Sequence, residues 1–412
     1  MQTFDVIVVG GGPAGLMAAG RAAESGCKAL LLEKMEREGR KLLITGKGRC
    51  NITNDAPLAD FITHVYPDGR FLRHAFSQFF SGDIIELLRT HGVETTLERG
   101  GRYFPTSNKS ADVLNALLTW VHRSGVEIRC HHRVEKLVIE NQAVKGVKVN
   151  GALIEAKHVI LATGGKSYPA TGSTGDGYEL ARQAGHAVVA VRPSLVPLET
   201  AGYVARELQG LSLKNVKAVV WVNGKKTGEE FGEMLFTHFG LSGPIILTIS
   251  RLVVDELKKE SKVEITIDLK PALDEQKLDK RLLRDLDEQG KKKIGNIFAN
   301  WLPSKMIPVF MDILQIDPDK EGHQVSAMER KSIRKLMKNL PFTVSGNRSF
   351  REAIITAGGI PTSEISSRTM ESKLVQGLFF AGELIDLDGE TGGYNLQIAC
   401  STGWLAGDSC KV

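Results

Sequence analysis

Six residues behind a short apolar run constrain this chain more than any other feature. Residues 4–9 are rich in valine, as a strand buried on both faces must be. They run into Gly10-Gly11-Gly12-Pro13-Ala14-Gly15. Glycines 10, 12 and 15 match G-x-G-x-x-G. The first allows a tight turn, the second lets backbone approach a pyrophosphate, and the third lets a helix pack closely on the strand. An alanine-rich helical stretch at 16–25 follows, with Gly26 as its stop and Ala29–Leu32 as a second buried strand. Such a helix points its free N–H groups at an anion. Glu33 closes the second strand, where a carboxylate suits a pair of ribose hydroxyls and opposes a 2′-phosphate.

A chain of 412 residues exceeds one small core, so two or more domains are expected. Strands and helices alternate to about residue 190: helices at 82–91 and 111–124, a hairpin at 134–139 and 144–149, and a buried strand at 159–162. Near Arg192-Pro193 the texture changes to short alternating strands, clearest at 217–222 and Val263–Asp268. From 271 to 338 the pattern is helical and charged. Leu278, Leu282, Leu283 and Leu286 fall on one helical face, with Asp274 as N-cap. After Leu340 the α/β texture returns, with a strand at 377–381 and a helix at 397–407. The expected fold class is α/β: a discontinuous Rossmann-like domain (1–191 and 341–412), interrupted by a β-rich insert (192–270) that carries a helical subdomain (271–340).

Several classes are excluded. The 43 glycines show no G-X-Y period, and 42% hydrophobic residues are too many for a disordered chain. No run of about 20 apolar residues suggests a membrane span. Met1 to Val9 has no basic n-region and contains Asp5, so no signal peptide is expected there. Five cysteines, an odd count without a CxxC pair, argue against a disulfide framework and against a zinc ribbon, so a cytoplasmic enzyme is the default. No metal site is expected: His131 and His132 are adjacent, a spacing that suits no ligand pair and points to solvent exposure. A net charge of +5 permits a polyanionic partner such as RNA without demanding one. Basic runs at Lys291-Lys292-Lys293 and at Arg330, Lys331, Arg334, Lys335 and Lys338 are either solvated helix faces or a phosphate-backbone surface.

Three further motifs decide which dinucleotide binds. The strand ending in Ala162-Thr163-Gly164-Gly165 resembles the strand-and-turn of two-dinucleotide-type flavoproteins. Ala381-Gly382-Glu383 resembles their second glycine–acid motif, with Glu in place of Asp, where a carboxylate accepts hydrogen bonds from a ribityl chain. Gly392-Gly393-Tyr394-Asn395-Leu396-Gln397 opens a helix whose N-terminus, in such proteins, meets the flavin pyrimidine edge. Its dipole there stabilises negative charge on the reduced ring. Together these imply FAD.

The stretch Gly39-Arg40-Lys41-Leu42-Leu43-Ile44-Thr45-Gly46-Lys47-Gly48-Arg49-Cys50-Asn51-Ile52-Thr53-Asn54 makes the resemblance specific. So do residues 164–178, Phe236-Thr237-His238-Phe239-Gly240-Leu241-Ser242-Gly243-Pro244 and Ala357-Gly358-Gly359. The chain is similar, over essentially its whole length, to the BaiN/YhiN/YtfP-type FAD-binding flavoproteins, also called aminoacetone-oxidase-type. The resemblance implies that the insert is a β-barrel. It places Gly10, Gly12, Pro13, Ala14, Gly15, Glu33, Lys34, Arg40, Lys41, Thr45, Gly46, Gly48, Arg49, Cys50, Asn51 and Val134 at the cofactor. It adds Thr163, Gly164, Gly165, Gly382, Glu383, Gly392, Gly393, Tyr394, Asn395 and Leu396. Glycines 46 and 48 let backbone lie against the cofactor, and Arg40 and Lys41 offset pyrophosphate charge.

Cys50 is either a proton donor beside the flavin or a small residue filling a tight turn. Arg49 suits a charged role, because burying an unpaired guanidinium is costly. Tyr168 and His238 complete the catalytic candidates, each with a structural alternative. Tyr394 reads more readily as a packing aromatic.

The resemblance implies reduction of a carbon–carbon double bond conjugated to a carbonyl, either in a bile-acid-like enone or at uridine C5=C6 of large-subunit ribosomal RNA. In both, hydride from flavin N5 goes to the β carbon and a proton to the α carbon. No second dinucleotide fingerprint is present, so NAD(P)H is expected as a transient donor. The alternatives are an O₂-using amine oxidase, a flavoenzyme like fumarate reductase or ketosteroid dehydrogenase, and a non-enzymatic FAD-holding or RNA-binding scaffold.

Overall fold

The computed structural model describes residues Thr3–Lys411. Met1, Gln2 and Val412 lie outside the described residues, and with them the first two positions of the stretch read as no signal peptide. Two compact units emerge. The chain up to Pro193, together with the chain from Phe350 onward, forms the first; Ser194–Ser349 forms the second.

In the first unit, β1 (Thr3–Val9), α1 (Pro13–Glu24) and β2 (Ala29–Leu32) form the expected βαβ start. α2 (Arg40–Ile44) follows. Further along lie β3 (Glu127–Arg129), β4 (Val134–Glu140), β5 (Ala143–Val149), β6 (Ala152–Leu161) and β7 (Leu378–Phe380). The sheet order is β3-β2-β1-β6-β5-β4, with β7 also on β6. β1, β2, β3, β6 and β7 run parallel, while β4 and β5 form the expected antiparallel hairpin. Val6, Ile7 and Val8 are fully buried, which explains the uninterrupted apolar run. Each such side chain contributes about 1.5–3 kcal/mol of burial.

The final helix, α3 (Tyr394–Ser409), joins the two ends of the chain. A Cβ at Gly403 would lie 2.2 Å from the Ala14 carbonyl, and one at Gly407 2.3 Å from that of Ala18. Those two glycines let α3 contact α1 backbone to backbone, which places Asn395 and Leu396 near the G-x-G-x-x-G turn.

The second unit is a closed six-stranded barrel, in the order Leu198–Thr200, Gly240–Ser242, Lys225–Thr237, Ser212–Val222, Val263–Asp268, Leu340–Asn347. Its closing strand, Leu340–Asn347, comes after the helical segment and pairs with both Val263–Asp268 and Leu198–Thr200. The units therefore divide at Ser349/Phe350, where the sequence reading put 340/341.

Helix Pro244–Lys258 has no counterpart in the sequence reading. Ile245, Ile246, Ile249, Val253 and Val254 are strand-forming types, yet they are buried along one helical face, with Pro at the first helical position. In helix Glu275–Glu288, Asp274 caps Lys277 N–H at 2.7 Å as expected. Leu278, Leu282 and Leu286 are buried. Leu283 is 41% exposed and leaves the face assigned to it, because it sits about 100° around the helix from Leu282.

Candidate dinucleotide site and its surroundings

The first unit holds a cavity enclosing roughly 1410 Å³ of non-protein space, its mouth included. The cavity starts at the β1–α1 turn. Gly10 has φ +109°, and a Cβ there would lie 2.6 Å from the Ala162 carbonyl. A Cβ at Gly15 would lie 1.8 Å from the Gly10 carbonyl, so Gly15 serves packing and does not line the cavity. Gly12 is different: a Cβ there would meet nothing within 4 Å. It opens directly onto the cavity, with Pro13 and Ala14. No side chain caps α1, so its first-turn N–H groups remain available to an anion.

Glu33 lines the cavity with its carboxylate fixed: Oε2 accepts from Gly11 N–H at 2.7 Å and Oε1 from Met35 N–H at 2.8 Å. Beside it Asp176 takes Lys34 Nζ at 3.0 Å and Arg133 Nε at 3.2 Å. Burial pushes the Asp176 pKa up, but hydrogen bonds from Thr174 and Lys34 outweigh it and leave the group below its ordinary range. Val134 lines this end. So does His132, which corrects the expectation of a solvent-exposed pair; only His131 is exposed.

At the far end, Lys41 Nζ meets Glu383 Oε2 and Ser167 Oγ, both at 2.6 Å. Glu383 Oε1 accepts from Ser167 Oγ and Thr356 N–H, each at 2.9 Å. A Cβ at Gly165 would lie 2.4 Å from Thr356 Oγ1, so Gly165 makes room for this network. Arg40 is held by Glu36 at 2.6 Å and by the Ala170 carbonyl at 3.0 Å. Thr45, Thr163, Gly164, Gly382, Asn395 and Leu396 line the remainder.

The loop after α2 folds tightly. Gly46, Lys47, Gly48 and Cys50 all have positive φ, and none of them lines the cavity. A Cβ at Gly46 would come 3.0 Å from Asn51 N, so that glycine closes the loop on itself. Cys50 is fully buried; burial, with Cys400 nearby, pushes its thiol well above the ordinary range. Its burial and positive φ accord with the turn-filling alternative. Arg49 pairs with Glu98, donates to Asn108 Oδ1 at 2.7 Å and lies 4.1 Å from the Phe104 ring centre. Asn51 leaves a buried Oδ1 without a partner. Tyr168 is half-buried, has φ +51° and donates its N–H to Phe350. Burial and then Glu352 raise its phenol pKa. His238 belongs to the second unit, in the turn before Gly240–Ser242, edge-on to Phe239 at 4.9 Å.

Gly392 and Gly393 precede α3 with φ +131° and +103°. A Cβ at Gly393 would lie 2.4 Å from the Thr53 carbonyl, while Asn54 Nδ2 donates to the Gly392 carbonyl at 3.0 Å. Next to α3 lies a cluster that the sequence did not disclose. Glu390 takes His64 Nδ1 at 2.7 Å and Tyr66 OH at 2.8 Å, and the His64 ring stacks on Tyr394 at 4.7 Å. Glu390 lies 326 and 324 residues from His64 and Tyr66 in the chain, so no local spacing signals the pairing.

Half of the cations in the basic runs are paired with acids. Arg330 and Arg334 both reach Asp279, Lys338 reaches Asp268 at 2.6 Å, and Lys293 reaches Asp319. Lys291, Lys292, Lys331 and Lys335 remain exposed. Among the described residues, no three His, Cys, Asp or Glu side chains gather as metal ligands, and no helix is long and apolar enough to cross a membrane.

The open Gly12 cradle, the uncapped α1 and the anchored Glu33 fit a dinucleotide, and the fold with this site defines a Rossmann-type flavoprotein carrying a barrel insert. The family model described as "HI0933-like protein Rossmann domain" matches residues 4–409, and the chain belongs to that FAD-binding oxidoreductase family. It is 32% identical over 404 residues to the 3-dehydro-bile acid delta(4,6)-reductase of Clostridium scindens, covering 97% of each chain. It is 30% identical over 405 residues to the ribosomal RNA dihydrouridine synthase of Escherichia coli, covering 98% of this chain and 97% of that one. Among solved structures it resembles a quinol-fumarate reductase (TM-score 0.53, 17% identity, all of this chain and 71% of that one). It also resembles the 3-ketosteroid delta1-dehydrogenase of Sterolibacterium denitrificans (TM-score 0.52, 13% identity, both chains whole). Those two likenesses speak for the fold.

Proposed function

We propose that this FAD-dependent enzyme saturates a carbon–carbon double bond conjugated to a carbonyl, in a small apolar enone, with a reduced nicotinamide as transient electron donor. One observation carries this reading: two relatives matched over almost the whole chain have names that describe the same kind of reaction, one on a steroid and one on uridine. Bound FAD supplies a two-electron hydride carrier. The chain's own groups do the rest. The Gly10–Gly15 turn and the α1 N-terminus hold the pyrophosphate, and Glu33 accepts from ribose hydroxyls. The Lys41–Glu383–Ser167 network shapes the ribityl end. The α3 N-terminus favours negative charge at the pyrimidine edge.

The ion pairs of Arg330, Arg334 and Lys338 leave fewer free cations for a phosphate backbone, which favours a small molecule over RNA. The full-length match to the ribosomal RNA enzyme supports uridine as the second reading. The test is anaerobic incubation with NADH or NADPH and either a 4,6-dien-3-one steroid or unmodified large-subunit ribosomal RNA. A product heavier by two hydrogens from the steroid supports the first reading; dihydrouridine alone supports the second. Neither product, with O₂ consumption on an amine instead, would replace both with amine oxidation.

A further inference from the structure

Arg37 differs from the other cations of the dinucleotide cavity. Lys34, Arg37, Arg40, Lys41 and Arg133 all line it. Four of them are engaged by carboxylates: Lys34 and Arg133 by Asp176, Arg40 by Glu36, Lys41 by Glu383. Arg37 is exposed and has neither a hydrogen bond nor an ion pair among the described residues. It stays unpaired although glutamates flank it in the chain. Glu33 is held by the N–H groups of Gly11 and Met35, Glu36 by Arg40, and Glu38 Oε1 accepts from Cys130 Sγ at 3.2 Å.

The segment that carries Arg37 is fixed on the glycine turn. Gly39 N–H donates to the Gly11 carbonyl at 2.9 Å. A Cβ at Gly11 would lie 3.2 Å from Glu38 Cγ, so the Glu38 stem packs on that turn. Arg37, the next residue back, is therefore rooted beside the place where Gly12 opens onto the cavity. The α1 N-terminus supplies about half a unit of positive charge, well short of what a pyrophosphate carries. A full cation on a long stem, with five N–H donors and no acid of its own, complements that deficit.

We propose that the Arg37 guanidinium closes on the pyrophosphate of the bound dinucleotide from the solvent side. This rests on the reading of the cavity as the FAD site with its pyrophosphate at Gly12. Arg37 takes the charge role that the sequence reading assigns to Arg40 and Lys41, both of which are engaged by acids.

The test follows cofactor release from the full-length holoenzyme. Serial dilution, read by flavin fluorescence, gives the FAD dissociation constant. ADP and adenosine then compete for the same cavity, and of these only ADP carries a pyrophosphate. Arg37→Gln should raise the FAD constant about tenfold, the effect of a charge-assisted hydrogen bond partly screened by solvent. The competition constant of ADP should rise by a similar factor, and that of adenosine by less than about twofold. Raising salt from about 0.05 to 0.5 M should weaken FAD more in wild type than in Arg37→Gln. Circular dichroism should be unchanged, because Arg37 holds no other group. An FAD constant in Arg37→Gln within about twofold of wild type overturns the assignment and leaves the cofactor site standing. Equal weakening of ADP and adenosine also overturns it, since the guanidinium would then act on the adenosine half. A wild-type holoenzyme from which ADP displaces no FAD overturns the reading of the cavity and this assignment with it.

Discussion

Lys41 and Glu383, 342 residues apart in the chain, meet at 2.6 Å on the cavity wall, with Ser167 bonded to both. α2 and the second glycine–acid motif are thus joined by a side-chain network. Both side chains are about one-fifth exposed, so solvent screens the pair only in part. Lys41→Met leaves the Glu383 carboxylate short of a partner and is expected to cost about 1–3 kcal/mol. Thermal denaturation of wild type against Lys41→Met checks this, and double replacement with Glu383→Gln should recover part of the loss. Equal melting temperatures for wild type and single variant would show the pair to be incidental.

Gly12 separates folding from cofactor binding. Its φ of −79° suits any residue, and a Cβ there meets nothing. Asp is also a favoured N-cap. Gly12→Asp is therefore expected to fold with unchanged or slightly raised stability while losing FAD, because a carboxylate then faces the pyrophosphate. Circular dichroism and the flavin released on denaturation measure the two effects. A yellow Gly12→Asp protein would place the cofactor elsewhere.

Cys50 is expected to be dispensable for chemistry. Its thiol is sealed and held neutral by burial. Cys50→Ala should lose about 1–2 kcal/mol of stability through a small cavity, with FAD content and turnover kept within about twofold. In the folded wild type, iodoacetamide should leave Cys50 unlabelled. A hundredfold drop in turnover would restore Cys50 as the proton donor.

Asp176 predicts an acid limb to stability. Its folded pKa lies below the ordinary value of 3.8. The unfolded state therefore binds more protons between those two values, so stability falls with decreasing pH there. The contribution is fully present above the unfolded value and is lost as pH drops through the folded one. The stability gap between wild type and Asp176→Asn should be widest near neutrality and close on acidification below about pH 4. A gap independent of pH would mean that the ion pairs with Lys34 and Arg133 contribute nothing.

What the sequence discloses here is what neighbours in the chain create. The turn from β1 to α1 and Glu33 lie within one βαβ unit, and burial of residues 6–9 leaves a short apolar run. The hairpin of β4 and β5 is equally local. Pairings across hundreds of residues leave no such trace: Lys41 with Glu383, His64 and Tyr66 with Glu390. Side-chain type also misleads where tertiary packing overrides propensity. The β-branched run at 245–254 is helical, and Leu283 faces solvent beside three buried leucines. Charge counting overstated the basic surface, since Asp279 and Asp268 lie opposite Arg330, Arg334 and Lys338. The α2 loop is legible as a motif, but its positive-φ residues and the burial of Cys50 are not.

The measurement that bears most directly on the central claim is anaerobic stopped-flow absorbance of the flavin band. The protein is mixed first with NADH or NADPH, then with a 4,6-dien-3-one steroid. The account predicts rapid bleaching by a nicotinamide, followed by recovery of the band as the steroid is reduced. No bleaching by either nicotinamide, with bleaching by an amine and recovery only on admitting O₂, would contradict it.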